Sequence, residues 1–220
     1  MKAPRERTLL ICNGEPPPRA LLRALAARAS LVVAADGGAN AALRAGVRPG
    51  VVIGDLDSLL PASARRLANA RIIRIARQDN TDLEKALDYI AASAPSRVLI
   101  AGATGGRIDF TLGNLAVIWN YVDRLPITVV GEGWRALPVG RRRRERARRG
   151  VTVSLLPFGD CTGITLRGLK YGLRNAPMRV GEIGVSNVVA SSPFTVDVKK
   201  GRMLMVIFDG AAGGRSWPPW

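Results

Sequence analysis

The chain has 220 residues, 47% hydrophobic and 23% charged, with 33 Lys+Arg against 17 Asp+Glu for a formal charge of +16. That is globular usage, which excludes a disordered chain and leaves room for one large or two small domains. Histidine is absent and cysteine occurs only as Cys12 and Cys161. This excludes a Ser-His-Asp triad, histidine acid–base catalysis, His-ligated metals, Cys-rich zinc sites and a disulfide framework.

Short β-branched runs alternate with Ala/Leu/Arg helical patterns over the first 130 residues. Leu9–Cys12 is an apolar run. Pro18–Ala29 places Leu21, Leu22 and Leu25 at helical spacing. Leu31–Ala35 is a second buried strand, and Ala39–Ala45 a short helix ending at Gly46. Val51–Ile53 is a third strand, Ala62–Ala70 a helix and Ile72–Ile75 a fourth strand. Leu83, Ala86, Leu87, Ile90 and Ala91 follow the i, i+3, i+4, i+7 rule of an amphipathic helix. Val98–Ala101, the helix Leu112–Tyr121 and the strand Ile127–Val130 complete the series. Such alternation predicts crossover units: an α/β, Rossmann-like, three-layer domain with a parallel sheet.

After Gly131 the pattern changes. Val151–Leu155, Gly163–Leu166, Gly184–Val189, Thr195–Val198 and Met203–Phe208 are short runs between Gly, Pro and Asn. Their spacing of roughly 8–12 residues predicts a small antiparallel β-sandwich or barrel, of which the sandwich is taken as the expectation. The expected division is residues 1–132 for the α/β domain, 133–210 for the all-β domain and 211–220 for a loose tail. Arg141–Arg149, with seven arginines in nine residues, lies at the boundary and is expected as a loop or charged helical turn. It has no interleaved aromatics to stack bases, so the sequence points to a solvated basic surface and no specific nucleic-acid partner. No stretch reaches the roughly 18 apolar residues of a membrane span, and the N-terminus has no signal-peptide core, so the chain reads as cytoplasmic.

Four polar clusters each follow a predicted strand: Asp36-Gly37-Gly38-Ala39-Asn40, Gly54-Asp55-Leu56-Asp57-Ser58, Gln78-Asp79-Asn80-Thr81-Asp82, and Gly102-Ala103-Thr104-Gly105-Gly106-Arg107-Ile108-Asp109. In a parallel sheet all four strands end on one edge, where ligands bind. Asp36, Asp55, Asp57, Asp79 and Asp82 would then share one crevice, and like charges so close call for a cation. Without histidine or paired cysteines, carboxylate oxygens select a hard ion, Mg²⁺ before Ca²⁺ or Mn²⁺, and magnesium brings an expectation of substrate phosphates. Gly37-Gly38 and Gly105-Gly106 permit close backbone approach ahead of a helix, and Arg107 suits bidentate pairing with phosphate. Thr81 and Glu84 also read as a capping box, which by itself accounts for Thr81 and for Asp82 in a first helical turn.

These four clusters, in this order, resemble those of the thiamine pyrophosphokinase family, whose signatures are Asp-Gly-Gly-x-Asn, Gly-Asp-x-Asp-Ser, Asp-x-Thr-Asp and Gly-Gly-Arg-x-Asp. Asn13-Gly14-Glu15, Ser154-Leu155-Leu156-Pro157, Gly168-Leu169-Lys170-Tyr171 and Ser186-Asn187 extend the resemblance over nearly the whole chain. It implies Mg²⁺-dependent transfer of pyrophosphate from ATP to the hydroxyl of thiamine, giving thiamine diphosphate and AMP. Asp55, Asp57 and Asp82 would hold magnesium, with Asp79 nearby and Arg107 completing the catalytic set. Asp36, Gly37, Gly38, Asn40, Ser58, Gln78, Thr104, Gly105, Gly106 and Asp109 would bind ATP. Tyr171, Ser186 and Asn187 would border thiamine in a homodimer with a shared site, an aromatic at 171 suiting a cationic ring. Two positions depart from the pattern: Phe110 where bacterial members often carry His, and Val188 where Glu is frequent. A related pyrophosphokinase acting on a hydroxymethyl dihydropterin is the alternative, and a non-catalytic RNA-binding protein a remote one.

Overall fold

The computed structural model describes residues 7–77, 79–182 and 184–210; Gln78 and the expected tail at 211–220 lie outside these. The chain divides into two compact units, one running to Gly131 and the other beginning at Glu132.

The first unit interleaves six strands with five helices. The strands are β1 (Arg7–Ile11), β2 (Leu31–Ala35), β3 (Val51–Gly54), β4 (Arg71–Arg74), β5 (Arg97–Ala101) and β6 (Ile127–Gly131). The helices are α1 (Arg19–Ala26), α2 (Gly38–Arg44), α3 (Pro61–Ala64), α4 (Asp82–Ala92) and α5 (Ile108–Tyr121). All strand pairs are parallel, in the order β6-β5-β1-β2-β3-β4. The chain steps outward from β1 to β4, then returns through α4 to β5 on the other side of β1. Right-handed crossovers in opposite directions put helices on opposite faces, which gives three layers. Leu21, Leu22 and Leu25 of α1 pack with Ala41, Ala42 and Ala45 against Leu9, Ile11, Leu99 and Ala101. Helix α4 lies against β2 and β3, and α5 against α4.

The second unit has eight strands: β7 (Trp134–Val139), β8 (Arg142–Glu145), β9 (Thr152–Pro157), β10 (Cys161–Arg167), β11 (Ala176–Met178), β12 (Asn187–Val188), β13 (Phe194–Asp197) and β14 (Met203–Phe208). They pair antiparallel in the orders β12-β9-β14-β7 and β11-β10-β13-β8. Inward residues of both layers, including Leu137, Val153, Leu155, Ile164, Leu166, Phe194, Val196, Met203 and Met205, form one core. This is the expected antiparallel sandwich.

Several elements differ from the sequence expectation. The first half of the arginine run is a strand, and the rest is loop and turn as expected: in β8, Arg142 stands opposite Asp197 and Arg144 opposite Thr195. Arg142 and Arg144 are exposed while Arg143 and Glu145 are half-buried, so a period of two is present but written in long charged side chains whose stems cover apolar surface. Strand β8 ends its sheet, and charge on such an edge discourages pairing with another chain. The expected strand Gly184–Val189 shrinks to Asn187–Val188, because Ser186 takes a positive φ of 62°. The expected helix Ala62–Ala70 breaks into α3 and a 3-10 turn, Arg65–Leu67. Helix α5 begins at Ile108, four residues earlier than its periodicity suggested. It is apolar nearly all round, yet Ile108 is 70% and Leu112 61% exposed. Among the described residues no helix is long and apolar enough to cross a membrane.

Candidate active site

Parallel pairing brings the C-terminal ends of β1 to β5 to one edge of the sheet. The loop after β1 is fastened to the loop after β5 by three backbone bonds, from the amides of Cys12, Gly14 and Glu15 to the carbonyls of Ala101, Gly102 and Thr104, each 2.8 Å. These neighbours lie where the strand order turns back, the usual ligand position in such sheets. Glycine is needed for the approach: a Cβ on Gly14 would lie 2.5 Å from the Gly102 oxygen, and one on Gly105 2.4 Å from Glu15 Cβ. Gly106 differs, with φ +67° and nothing within 4 Å of its Cβ position, so this turn borders open space. Gly37 and Gly38 are equally constrained, their Cβ positions 2.5 Å from the Asn13 side chain and 2.1 Å from the Ile11 oxygen.

Asp36 ends β2 at φ 42°, with its amide donating to the Ile53 carbonyl at 2.8 Å. It is 4% exposed, and its Oδ1 has no hydrogen-bond partner among the described residues. After β3, a turn with Leu56 at φ 70° folds Asp57 back, so its amide donates to Asp55 Oδ1 at 3.2 Å. The Ser58 hydroxyl donates to Asp57 Oδ1 at 3.0 Å. One oxygen each from Asp36, Asp55 and Asp57 then lie within 4.8 Å of one another. Burial pushes the Asp36 carboxyl above its ordinary range; the Gly37 amide and Ser58 hydroxyl oppose this, and the charges of Asp82 and Asp57 add to it. The donor set is all carboxylate oxygen and includes a buried orphan, so it fits a hard divalent cation such as Mg²⁺.

Asp82 opens α4 beneath the same edge. A Cβ on Gly54 would lie 2.8 Å from Asp36 Cβ and 3.1 Å from Asp82 Oδ1, so only glycine lets these two carboxylates flank β3. The capping box is present: the Glu84 amide donates to Thr81 Oγ1 at 3.2 Å, and the Thr81 amide to Glu84 Oε2 at 3.3 Å. Asp82 Oδ1 accepts from Lys85 Nζ at 2.8 Å, and Lys85 is buried. Lys85 is the site residue that reading the motifs missed; its only signal was an acid–base pair three residues apart on a helix.

The remaining expected residues have varied surroundings. Asp79 is exposed and pairs with Arg77 at 2.7 Å, outside the group of three. Buried Asn40 is a clamp: its Nδ2 donates to the Ser58 carbonyl at 2.8 Å and its Oδ1 accepts from the Leu60 amide at 3.2 Å. It shapes the loop carrying Asp55 and Asp57. In the fourth cluster, the Gly105 amide donates to Thr111 Oγ1 at 3.1 Å and Asn114 Nδ2 to the Ala103 carbonyl at 2.8 Å, tying the Thr104 segment to α5. Arg107 Nε donates to Asp109 Oδ1 at 3.1 Å, with a second bond to Oδ2. This pairing raises the Arg107 pKa and lowers that of Asp109. The guanidinium also lies over the Phe110 ring, 4.6 Å from its centroid. The departure at 110 thus supplies a platform for Arg107.

In the second unit, Asn187 and Tyr171 are locked together. The Tyr171 amide donates to Asn187 Oδ1 at 3.0 Å, and Asn187 Nδ2 to the Tyr171 carbonyl at 2.7 Å. The Val188 amide also donates to Asn187 Oδ1, at 2.8 Å. Asn187 is buried, its Oδ1 accepts two bonds and its Nδ2 donates one, which holds the Tyr171 loop in place. Tyr171 is itself 59% exposed, with Lys170 Nζ 5.2 Å from its ring centroid. Ser186 is exposed, and its amide donates to Ser154 Oγ at 3.2 Å.

The architecture is a parallel α/β unit with carboxylates grouped at its strand ends, followed by an antiparallel sandwich. The match to known proteins is more particular. The family model for "Thiamin pyrophosphokinase, catalytic domain" matches residues 22–129, and that for "Thiamin pyrophosphokinase, vitamin B1 binding domain" matches residues 142–203. A thiamine pyrophosphokinase of Bacillus subtilis (strain 168) is 31% identical over 185 residues, 80% of this chain and 86% of the relative. Thiamine pyrophosphokinase 1 of Oryza sativa subsp. japonica is 30% identical over 193 residues, 74% of this chain and 73% of the relative. The crystal structure of a Bacillus subtilis thiamine pyrophosphokinase superposes with TM-score 0.80 at 29% identity, covering 91% of this chain and 98% of that one. The chain belongs to the thiamine pyrophosphokinase family. Neither the pterin nor the RNA-binding alternative is favoured by these matches.

Proposed function

We propose that the chain is a cytoplasmic, Mg²⁺-dependent enzyme that transfers the pyrophosphoryl group of ATP to the hydroxyl of thiamine, forming thiamine diphosphate and AMP. The observation that carries this reading is the grouping of Asp36, Asp55 and Asp57 within 4.8 Å, none with an ion-pair partner among the described residues. The three would hold magnesium, with Asp82 beside them. Asp36 thereby moves from the nucleotide-binding set to the metal set. When bound, the ion neutralises triphosphate charge and orients the leaving and attacking oxygens. The chain's own residues do the rest. Arg107, preset by Asp109 and Phe110, clamps phosphate oxygens. Thr104, Gly105 and Gly106 offer a turn open to the nucleotide. Gly37 and Gly38 let the backbone come close, and Ser58 steadies Asp57. Asp79 lies in the segment leading to α4 and completes the nucleotide side, while the expected contact of Gln78 falls outside the described residues. Asn40 and Asn187 act through the loops they hold, and Tyr171 and Ser186 border thiamine. Positioning and electrostatics suffice for in-line attack at the β-phosphorus, with no covalent intermediate.

We further propose a homodimer that shares the site. The exposed apolar side chains of α5, Ile108 and Leu112, suit a covered face. Leu112→Glu would then convert the particle from dimer to monomer in sedimentation velocity. The activity test is AMP release coupled to a reporter, with ATP and either thiamine or hydroxymethyl dihydropterin, with and without Mg²⁺. Thiamine- and Mg²⁺-dependent AMP is expected; AMP with the pterin alone would sink the acceptor assignment.

A further inference from the structure

We propose that Lys85 is a positioning residue that acts through Asp82, and that its fixed charge makes the carboxylate group bind a divalent cation together with the triphosphate in preference to the bare ion. The proposal rests on the magnesium–triphosphate reading above.

Lysine is almost never fully buried unless paired. Here the Lys85 side chain is 2% exposed, against 28% for its partner Asp82, at 2.8 Å. The ammonium therefore sits under the carboxylate, on the protein side, while Asp82 reaches outward. Lys85 lies on α4 among Leu83, Ala86 and Leu87, all buried. A Met or Leu there would fill the same space without the cost of desolvating a charge, which an ion pair only partly recovers. A purely structural role would not select an ammonium. Two consequences follow from the geometry. First, Asp82 Oδ1 is fixed by Lys85, and Oδ2 has no hydrogen-bond partner among the described residues, so the side chain is held with one oxygen free. Second, Asp36, Asp55, Asp57 and Asp82 together carry four negative charges, and Lys85 is the one described cation within ion-pair distance of any of them. A buried positive charge on the far side of Asp82 weakens the site for a lone cation and favours a cation that arrives with anionic phosphates.

The sign of the effect makes the test sharp. Mn²⁺ binding to the full chain is measured by electron paramagnetic resonance, alone and with α,β-methylene-ATP, whose bridging carbon blocks transfer. Lys85→Met should tighten Mn²⁺ binding without nucleotide about tenfold, while KM for ATP rises and kcat falls. Lys85→Gln keeps a donor to Asp82 but no charge; it should tighten Mn²⁺ equally while retaining more kcat than Lys85→Met. In an Asp82→Asn background, Lys85→Met should add little to the loss of kcat, because both act through one contact. Equal or weaker Mn²⁺ binding in both folded variants, or a Lys85 effect undiminished in the Asp82→Asn background, would overturn the proposal. Wild-type protein that binds no Mn²⁺ even with the nucleotide analogue would instead overturn the metal reading itself. Circular dichroism and thermal unfolding confirm that each variant is folded; if Lys85→Met is not, Lys85→Gln carries the metal-binding comparison.

Discussion

In the antiparallel unit, Asp197 takes Arg167 at 2.8 Å and Arg142 at 3.4 Å, Glu145 takes Arg143 at 2.9 Å, and Asp209 is paired to Arg135. In the α/β unit, Asp36, Asp55 and Asp57 crowd together with no arginine paired to them among the described residues, although the chain holds 28 arginines beside five lysines. Other acids, such as Glu132 and Asp160, also have no arginine partner among the described residues, so it is the crowding of three carboxylates, not the missing arginine alone, that supports the proposed ligand site. The net charge of +16 therefore describes the chain as a whole and says little about this edge, where the grouped side chains are carboxylates.

The largest test of this contrast is Asp57→Asn. It removes charge and almost no volume, so activity should fall about 10³-fold while the unfolding transition stays put. Near-normal AMP release would place the metal elsewhere. On the paired side, Arg135 is buried against Asp209 and donates to the Arg146 carbonyl at 3.1 Å. Arg135→Ala removes a buried guanidinium from the half-buried Asp209 and Glu145 and should cost about 1–3 kcal/mol in urea unfolding. A loss under 1 kcal/mol would mean that pairing in this unit is incidental.

A subtler difference concerns pH. The folded state holds the Asp36 proton more tightly than the unfolded chain does, because burial raises its pKa. Stability without metal should therefore decline as pH rises from the ordinary carboxylate value through the raised one, since the folded state binds more protons over that window. Asp36→Asn should remove that decline and raise the melting temperature at neutral pH by about 2–4 °C, at the expense of activity. A lower melting temperature would show that the charge is not a burden to the fold. The smallest expected effect is at Phe110. The ring holds an exposed guanidinium in place only weakly, so Phe110→Ala should raise KM for ATP about two- to five-fold with kcat little changed. Phe110→Tyr should restore it, and equal losses in both variants would remove the platform role.

Much of the α/β unit was legible because its signals are local. Apolar runs of four or five residues between helical patterns can only be buried strands of a parallel sheet. Thr81-x-x-Glu84 named its own helix start, and the capping box is there. The second unit was read less completely. Strands β7, β8 and β11 were missed, since β8 is written in arginine and β11 is three residues long. Ser186 was read inside a strand that its positive φ interrupts. In the site, four clusters were visible as motifs, but the roles of individual members were not. Asn40 and Asn187, expected to contact ligands, also clamp their own loops, which the motifs did not show, because an amide's partners depend on which backbone lies opposite.

The sequence by itself determined that the four acidic and glycine-rich segments share one edge of a parallel sheet. That follows from strand–helix alternation alone, a property of nearest neighbours along the chain. Only the tertiary structure decided which carboxylates stand together, that Asp82 is shared with a buried Lys85, and that Arg142–Glu145 of the arginine run is a paired edge strand. Ion pairing and burial depend on distances between segments far apart in sequence, set by how strands stack and how closely a glycine such as Gly54 lets their ends approach. No local pattern encodes those distances.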